Sequence, residues 1–424
     1  MTIINLPYGR EQLSVEIPEE RLKAVLVSDM HHFKPELSQW DLVKEAIENP
    51  IGTPRLMEMA KGKNKVVIIA SDHTRPVPSK VIIPLMLEEI RRGNPEADIT
   101  ILISTGCHRE TTKEELLNKF GPEIMKNEKI YVHDCDDESM LVDIGSLPSG
   151  GRLILNKLAV ECDLLLSEGF IEPHFFAGYS GGRKSVLPGV ASRKTVMYNH
   201  NAQFIDSEKS RTGIIEGNPI HKDMLYAARA ARLDFIVNVV INSDKEVIYA
   251  VAGDCDQAHI QGRSFLNSQC KVNSVPSDIV ITTNGGYPLD QNIYQAVKSM
   301  TAAEATCKIG GVIIIAAKSN DGHGGEQFYQ SFKEEKDVNK MMAEFLATPS
   351  EETIPDQWQS QIFARILKKF KVVYVSDAPD DIVSDLHMVP AHSVEEAISK
   401  AEDILNNKNS SITVIPDGVS VIVI

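Results

Sequence analysis

The stretch "KVVIIASD" (Lys65–Asp72) indicates the fold class, because a short β-branched run that ends on polar residues is typical of a buried strand. Two further runs have the same form, "ITILISTG" (Ile99–Gly106) and "CDLLLSEG" (Cys162–Gly169). Stretches with helical apolar spacing lie between them, such as "SKVIIPLMLEEIRR", which begins at Ser79. Strands that alternate with helices predict an α/β fold with mainly parallel sheets.

A second series of the same kind begins near residue 276, with "SDIVITTNGG" and "GGVIIIAAKS" on either side of a predicted helix over residues 291–306 that Asp290 can cap. A chain of 424 residues is too long for one compact domain. We therefore predict two α/β domains, 1–272 and 273–424, with the last strand able to return to the first domain. A cleft between domains is a common place for a small-molecule site, so we predict an interdomain active-site cleft.

Composition excludes several classes of protein. The chain has 44 Lys and Arg residues against 59 Asp and Glu residues, a formal net charge of −15. Such a surface repels nucleic acid and anionic lipid, so neither partner is expected. The six cysteines are scattered, which argues against a disulfide framework and a thiolate zinc site. No signal peptide and no apolar run near the ~20 residues of a membrane span are visible, which predicts a cytoplasmic protein.

Polar loops follow each of the three first-domain strands, at the edge of a parallel sheet where ligands bind. A lone histidine in a loop is usually structural or solvated, and we keep that interpretation for His31, His32, His73, His133, His221, His259, His387 and His392. Several basic or acidic groups at one rim are less easily explained by independent structural causes. The candidates are Asp72, Arg75, His108, Arg109, His174, Arg183, Lys184 and, further along the chain, His200.

The glycine-rich stretch "EPHFFAGYSGGRKSVLPG" (Glu172–Gly189) resembles a phosphate-binding P-loop only superficially. A P-loop has glycine directly before its lysine, and here Arg183 precedes Lys184. A neighbouring positive charge and partial burial both disfavour the ammonium form of a lysine. The pattern therefore favours Lys184 as a nucleophile that can bond covalently to an acyl group or an aldehyde.

The second domain offers Gln295 and Lys298, which lie three residues apart and so project from one face of the predicted helix. Such a pair suits a small carboxylate, although an ordinary solvated helix face is an equal alternative. Tyr294 and Trp358 could line the pocket, with core packing as the alternative for Trp358. We interpret His323 as more often structural than functional.

Taken together, "SDHTRPVP", "STGCHR", "EPHFFAGYSGGRKSVLPG", "NH" at Asn199–His200 and "TNGGYPLDQNIYQAVK" resemble the nickel-dependent lactate racemase family over essentially the whole chain. The resemblance implies a nickel-pincer nucleotide, Ni(II)-pyridinium-3,5-bisthiocarboxylic acid mononucleotide, joined to Lys184 as a thioamide. It implies that His200 is the protein ligand of the nickel. A planar set of soft donors is one that Ni(II) accepts.

The resemblance also implies a mechanism and partners. His108 and His174 match the acid–base pair, which exchanges the hydroxyl proton while the C2 hydrogen of lactate passes transiently to the cofactor as hydride. Arg75, Gln295 and Lys298 match positions that bind substrate and cofactor, and Asp72 holds the cofactor or orients a neighbour. Lactate is the implied substrate, and the cofactor would come from separate biosynthesis enzymes.

Three alternatives stay open at this point. The same fold and cofactor could serve a racemase or epimerase of another 2-hydroxy acid. Two histidines could instead racemise lactate without a cofactor, by proton exchange at C2. Finally, the chain could be a non-catalytic carrier of a nickel cofactor, with no turnover of its own.

Overall fold

The computed structural model describes residues 1–31 and 33–424. The interpretation given above for His32, and that for the side chain of His31, lie outside the described residues. The chain forms two compact units. The larger unit contains Met30–His200 and Lys209–Gln269, and the smaller unit contains Met1–Asp29, Asn201–Glu208 and Cys270–Ile424.

The strands of both units are numbered in chain order. They are β1 (Thr2–Tyr8), β2 (Glu11–Ile17), β3 (Leu22–Val25), β4 (Lys65–Ser71), β5 (Asp98–Ser104), β6 (Lys129–Val132), β7 (Leu141–Ser146), β8 (Arg152–Asn156), β9 (Leu164–Phe170), β10 (Pro173–His174), β11 (Gly178–Tyr179), β12 (Leu233–Ile241), β13 (Val247–Gly253), β14 (Lys271–Val272), β15 (Ser277–Thr283), β16 (Cys307–Ala316), β17 (Lys371–Val375), β18 (Val389–Ala391), β19 (Ile412–Ile415) and β20 (Ile422–Val423).

The α-helices are numbered in the same way. They are α1 (Gln39–Glu48), α2 (Leu56–Met59), α3 (Ser79–Gly93), α4 (Lys113–Phe120), α5 (Pro122–Asn127), α6 (Lys157–Val160), α7 (Arg193–Asn199), α8 (Ala202–Asp206), α9 (Pro219–Ala230), α10 (Gln257–Cys270), α11 (Ile293–Glu304), α12 (Glu326–Glu334), α13 (Val338–Ala347), α14 (Gln357–Lys369), α15 (Asp380–Asp385) and α16 (Val394–Leu405). Within the described residues, no helix has both the length and the apolar character that a membrane span needs.

The larger unit is built on a six-stranded sheet with the order β13-β12-β9-β4-β5-β6. All its neighbouring strands are parallel except the antiparallel hairpin β12–β13. The three strands predicted from β-branched runs are confirmed as β4, β5 and β9. Ile68, Ile101 and Leu166 in these strands are fully buried, and burying one such side chain contributes about 1.5–3 kcal/mol.

The smaller unit has a second six-stranded sheet, with the order β18-β17-β16-β15-β19-β3 and parallel pairing throughout. The predicted α/β class with mainly parallel sheets, in two domains, is thereby confirmed. The predicted helix of this unit is α11, which begins at Ile293. The expected cap was wrong: Asn292 accepts the Gln295 N–H, whereas the Asp290 carboxylate accepts the backbone N–H groups of Gly9 and Lys318.

The chain termini depart from the predicted division at residues 272 and 273. Residues 1–29 group with the C-terminal part, because β3 pairs with β19 and the β1–β2 hairpin packs Leu6, Val15 and Ile17 into the core of the smaller unit. The last strand, β20, pairs with β14 inside the same unit, so it does not return to the larger one. Pairing between strands so far apart in sequence leaves no local pattern by which to predict it.

Candidate active site

Two of the predicted polar loops meet beside the sheet of the larger unit. Strands β4 and β5 are parallel and in register, with Ser71 opposite Ser104, so the loops that follow them lie side by side. His108 Nδ1 lies 2.7 Å from Asp72 Oδ2. The side chain of Asp72 is 2% exposed and that of His108 is 46% exposed. A buried carboxylate thus holds an imidazole whose other edge is open to solvent.

The carboxylate of Asp72 is held in its charged form. Burial by itself raises its pKa, but hydrogen bonds from His108 and from Thr74, together with the positive charge of Arg75, outweigh burial, and the pKa lies below its usual value. An ionised carboxylate can only accept, so His108 donates its Nδ1–H to Asp72. The lone pair of His108 is then on Nε2, which is the arrangement of a general base.

The glycine-rich stretch forms a short hairpin followed by a tight turn. Strands β10 and β11 pair His174 with Gly178, and a 3-10 turn over Gly182–Ser185 carries Lys184. Gly181 has φ +75°, and a Cβ there would lie 2.7 Å from Asn238 Oδ1. The same Asn238 oxygen accepts the Gly182 N–H at 2.7 Å, so the loop needs glycine for a close backbone approach.

The loop brings His174 and Lys184 together. Lys184 Nζ lies 3.1 Å from His174 Nε2. The Ala177 N–H donates to His174 Nδ1 at 3.2 Å, and the His174 ring packs edge-on against Phe176 with centroids 4.5 Å apart. Each nitrogen of this imidazole therefore has a defined neighbour.

Arg183 points away from the position that the sequence suggested. Its buried guanidinium donates to the Ala177 carbonyl at 2.8 Å and to His221 Nδ1 at 3.1 Å. Burial, and next the positive charge of Arg263, lower its pKa to about 9. Burial, followed by the charge of Arg183, lowers the pKa of His221 to about 3, so this histidine is an uncharged acceptor. Arg183 therefore stabilises the folded loop by donating hydrogen bonds to its backbone carbonyls.

His200 ends helix α7 and is buried, with 4% of its surface exposed. Its Nδ1 lies 3.0 Å from the Val196 carbonyl oxygen, which can only accept. Burial is the main cause that lowers the pKa of His200 to about 3. His200 is therefore neutral at physiological pH, with Nδ1–H donated to the backbone and the lone pair on Nε2. This is the form in which histidine binds a metal ion.

The remaining candidates of the larger unit are less constrained. Arg75 is exposed, with its backbone N–H 3.3 Å from the Asp72 carbonyl oxygen. Arg109 forms an ion pair with Glu115, and Thr112 and Glu115 form the capping box of α4. Arg109 therefore has a structural role. His259 is buried against the Ser180 carbonyl, as expected for a structural histidine.

Candidates of the smaller unit gather near the start of α11. Gln295 and Lys298 are both half-buried. The Tyr294 hydroxyl donates to Asp356 at 2.6 Å. Asp356 directly precedes α14, the helix that contains Trp358, so this hydrogen bond connects α11 with the start of α14. His323 stacks on Tyr329 with centroids 4.6 Å apart and its Nδ1 accepts the Gly325 N–H, so its contacts are those of a structural residue.

Sequence reasoning missed three groups that shape the site: Asn238, Ala177 and Thr74. Only Asn238 left a signal, as a single polar residue inside the apolar run "FIVNVVI" of β12. It is 1% exposed, and a buried amide in a strand calls for a specific partner. Ala177 acts through its backbone N–H and carbonyl, and a contact made by backbone atoms cannot be predicted from the type of residue.

Two family models match the chain. The lactate racemase N-terminal domain covers residues 8–213 and the lactate racemase C-terminal domain covers residues 272–423. The chain is 54% identical to a lactate racemase of Thermoanaerobacterium thermosaccharolyticum, over 100% of this chain and 99% of that protein. It is 51% identical to a lactate racemase of Lactiplantibacillus plantarum, over 100% of both chains.

Solved structures give the same picture. The lactate racemase apoprotein from Thermoanaerobacterium thermosaccharolyticum matches with a TM-score of 0.97 and 54% identity, over 100% of both chains. A crystal structure of a Thermotoga maritima protein matches with a TM-score of 0.65 and 18% identity, over 92% of this chain and 100% of that one. At 18% identity the second likeness concerns the fold alone.

Proposed function

This chain belongs to the lactate racemase family, and from that premise we propose that it is a racemase that interconverts D- and L-lactate. The observation that carries the proposal is the 2.7 Å contact between His108 Nδ1 and the buried Asp72 carboxylate. It leaves an exposed imidazole whose lone pair is on Nε2, with a carboxylate on its other nitrogen, which is what removal of a hydroxyl proton requires.

His108 and His174 are the proposed acid–base pair. In one direction His108 Nε2 takes the hydroxyl proton of lactate, and the Asp72 carboxylate stabilises the imidazolium that results. In the other direction His174 exchanges the proton for the opposite enantiomer. An unperturbed histidine titrates at about 6.5, so one ring can take and return a proton near neutral pH.

We propose that the cofactor is a nickel-pincer nucleotide joined to Lys184, with His200 as the nickel ligand. The donor chemistry fits, because His200 is neutral and its Nδ1–H is fixed by the Val196 carbonyl, which presents an Nε2 lone pair. Lys184 itself is half-buried in the 3-10 turn over Gly182–Ser185. When bound, this cofactor supplies a pyridinium ring that accepts hydride from C2 of lactate.

Arg75, Gln295 and Lys298 are the proposed groups for substrate and cofactor binding. The two cations suit a lactate carboxylate, and the Gln295 amide can donate a directional hydrogen bond. Asp72 is proposed to orient His108. The cleft between domains, a cytoplasmic location and delivery of the cofactor by separate biosynthesis enzymes stay predictions from the sequence.

The decisive experiment uses L-lactate deuterated at C2 and enzyme produced together with its cofactor-making enzymes. The proposed hydride transfer keeps the deuterium in the D-lactate product, whereas proton exchange at C2 replaces it with solvent hydrogen. Mass spectrometry of the separated product gives the answer. Loss of the label would refute the mechanism, and no product at all would leave a cofactor carrier as the better description.

The covalent attachment has its own test. Intact-protein mass spectrometry of the loaded enzyme is expected to show an added group, which Lys184→Ala removes together with racemase activity. Lys194→Ala, a change of another lysine ten residues further along the chain, is the matched control and is expected to keep the added mass. An unchanged mass increment in Lys184→Ala would refute attachment at this lysine.

Racemisation of larger 2-hydroxy acids faster than lactate would refute the assigned substrate.

A further inference from the structure

The short contact between Lys184 and His174 raises a question of hydrogen-bond polarity. Lys184 Nζ and His174 Nε2 lie 3.1 Å apart, within hydrogen-bond distance. One nitrogen must donate and the other must accept. Either an ammonium donates to a bare Nε2, or an Nε2–H donates to the lone pair of an uncharged amine.

The backbone settles which of the two arrangements is consistent. The Ala177 N–H points at His174 Nδ1 at 3.2 Å, so Nδ1 must be the accepting nitrogen. A neutral imidazole that accepts at Nδ1 carries its hydrogen on Nε2. That hydrogen faces Lys184 Nζ, and an ammonium there would place two donors against each other. Both contacts can be hydrogen bonds only when Lys184 is an uncharged amine.

The surrounding structure holds this arrangement in place. Arg183 donates to the Ala177 carbonyl at 2.8 Å, which fixes the residue whose N–H orients His174. The rings of Phe175 and Phe176 pack against the imidazole. Lys184 Nζ also lies 5.6 Å from the Phe176 ring centroid. That contact would favour a cation, but it is near the outer limit of about 6 Å for such an interaction.

We propose that His174 holds Lys184 as an uncharged nucleophilic amine before the cofactor is attached. The natural acyl partner, a thiocarboxylic acid, rests on the function proposed above. The Lys184 nitrogen attacks the thiocarboxyl carbon, a C–N bond forms and the C–O bond breaks. The oxygen leaves as water with one amine hydrogen and the thiol hydrogen, so a thioamide results and nothing is oxidised or reduced.

Attachment then changes what His174 can do. A thioamide nitrogen has no basic lone pair, so the His174 Nε2–H can no longer donate to the nitrogen of Lys184. The same imidazole therefore serves two purposes in succession: it keeps the lysine reactive, and once the lysine has reacted its Nε2–H can donate a hydrogen bond to the substrate. Removal of a hydroxyl proton by Nε2 further requires that the ring hydrogen move to Nδ1. His174 would not be free for lactate in an enzyme that lacks the cofactor.

The test uses the apoprotein and a simple acyl donor, the N-hydroxysuccinimide ester of acetic acid, at pH 7. An exposed lysine is uncharged for only about one part in 2,500 at this pH. Peptide mass spectrometry follows acetylation of Lys184 against the exposed Lys336 of the same molecule. We expect Lys184 to react at least tenfold faster, and His174→Phe, which keeps an aromatic ring without nitrogen, to remove that advantage.

His392→Phe is the matched control, since His392 is a largely exposed histidine of the smaller unit, and it is expected to leave the Lys184 rate unchanged. Thermal melting checks that each variant folds. Lys184 that reacts no faster than Lys336, or reacts as fast in His174→Phe as in the unchanged protein, would overturn the proposal.

A second measurement needs no substitution. Nitrogen-15 NMR of the apoprotein with labelled histidine is expected to show His174 protonated at Nε2 and bare at Nδ1. The opposite tautomer or a doubly protonated ring would overturn the proposal. A loaded enzyme without added mass would instead count against the proposed function, and would leave the acetylation result standing.

Discussion

Replacement of Asp72 by asparagine tests the part of the site on which the proposed function depends. The change keeps the shape of the side chain but removes the charge that faces His108 at 2.7 Å. A hydrogen bond to a charged group contributes about 1.5–3 kcal/mol, and 1.4 kcal/mol corresponds to a tenfold change in rate. Because the imidazolium of His108 exists only after proton transfer, we expect kcat to fall by about 10- to 150-fold while KM changes by less than about threefold.

The assay is racemisation of L-lactate by the cofactor-loaded enzyme, followed by enzymatic determination of D-lactate. Asp98→Asn is the matched control, because Asp98 is an exposed aspartate whose partner is Lys129, and surface pairs of this kind contribute little. The intact mass separates two roles of Asp72. Full added mass with reduced kcat supports orientation of His108, whereas loss of the added mass would assign Asp72 to the cofactor. Activity within threefold of the unchanged enzyme would refute the reasoning.

Three further predictions concern stability and are checked by urea unfolding. Gly181→Ala is expected to cost about 1–3 kcal/mol, because the new Cβ meets Asn238 Oδ1; Gly62→Ala, at a similar φ of +72° with no atom within 4 Å, should cost clearly less. Glu304→Gln breaks the buried ion pair with Arg365 and should cost about 3–5 kcal/mol at pH 7. Burial raises the Glu304 pKa, but Arg365 and Lys369 lower it by more, so the pKa lies below its usual value. The stabilisation from this ion pair is therefore present above pH ~4.3, and the difference in stability between the two proteins should shrink below that pH. A constant difference would contradict this assignment. The pKa of His221 falls to about 3 on folding. The neutral ring of His221 therefore contributes its full stabilisation of the folded state above pH ~6.5, and this stabilisation is lost as the pH falls. His221→Gln should reduce the loss of stability between pH 6.5 and 5.5 by about 1 kcal/mol.

The sequence predicted the central strands well because buried parallel strands need apolar side chains on both faces. Strands β4, β5 and β9 consequently appear as uninterrupted runs. Strand β3 has only four residues, "LKAV", and alternates between half-buried and exposed positions at the edge of its sheet. Nothing in four such residues identifies the distant partner β19, and the assignment of residues 1–29 was therefore wrong.

The site shows the same limit at the scale of single groups. Parallel strands end at one edge, so the meeting of the Asp72 and His108 loops follows from the sheet. The direction of the Arg183 side chain does not follow from its place beside Lys184. It is set by the carbonyls of Ala177 and Gly181, which converge on the guanidinium only once the glycine loop has folded. Two charged residues that are neighbours in sequence therefore need not place their charged groups close together in the folded protein.

Three histidines acquire three different chemical roles, and in each case the hydrogen-bond partner of Nδ1 decides the role. A carboxylate takes the Nδ1–H of His108 and a carbonyl takes that of His200, so both present a lone pair at Nε2. Exposure separates these two, because the side chain of His108 is 46% exposed whereas burial lowers the pKa of His200 to about 3. At His174 the partner is an N–H donor, which reverses the polarity and leaves Nε2 with the hydrogen. The acid–base pair is thus unequal before substrate arrives, with a lone pair on His108 Nε2 and a hydrogen on His174 Nε2. A racemase must work in both directions, so each turnover has to exchange these states, and the two enantiomers should meet differently protonated enzyme.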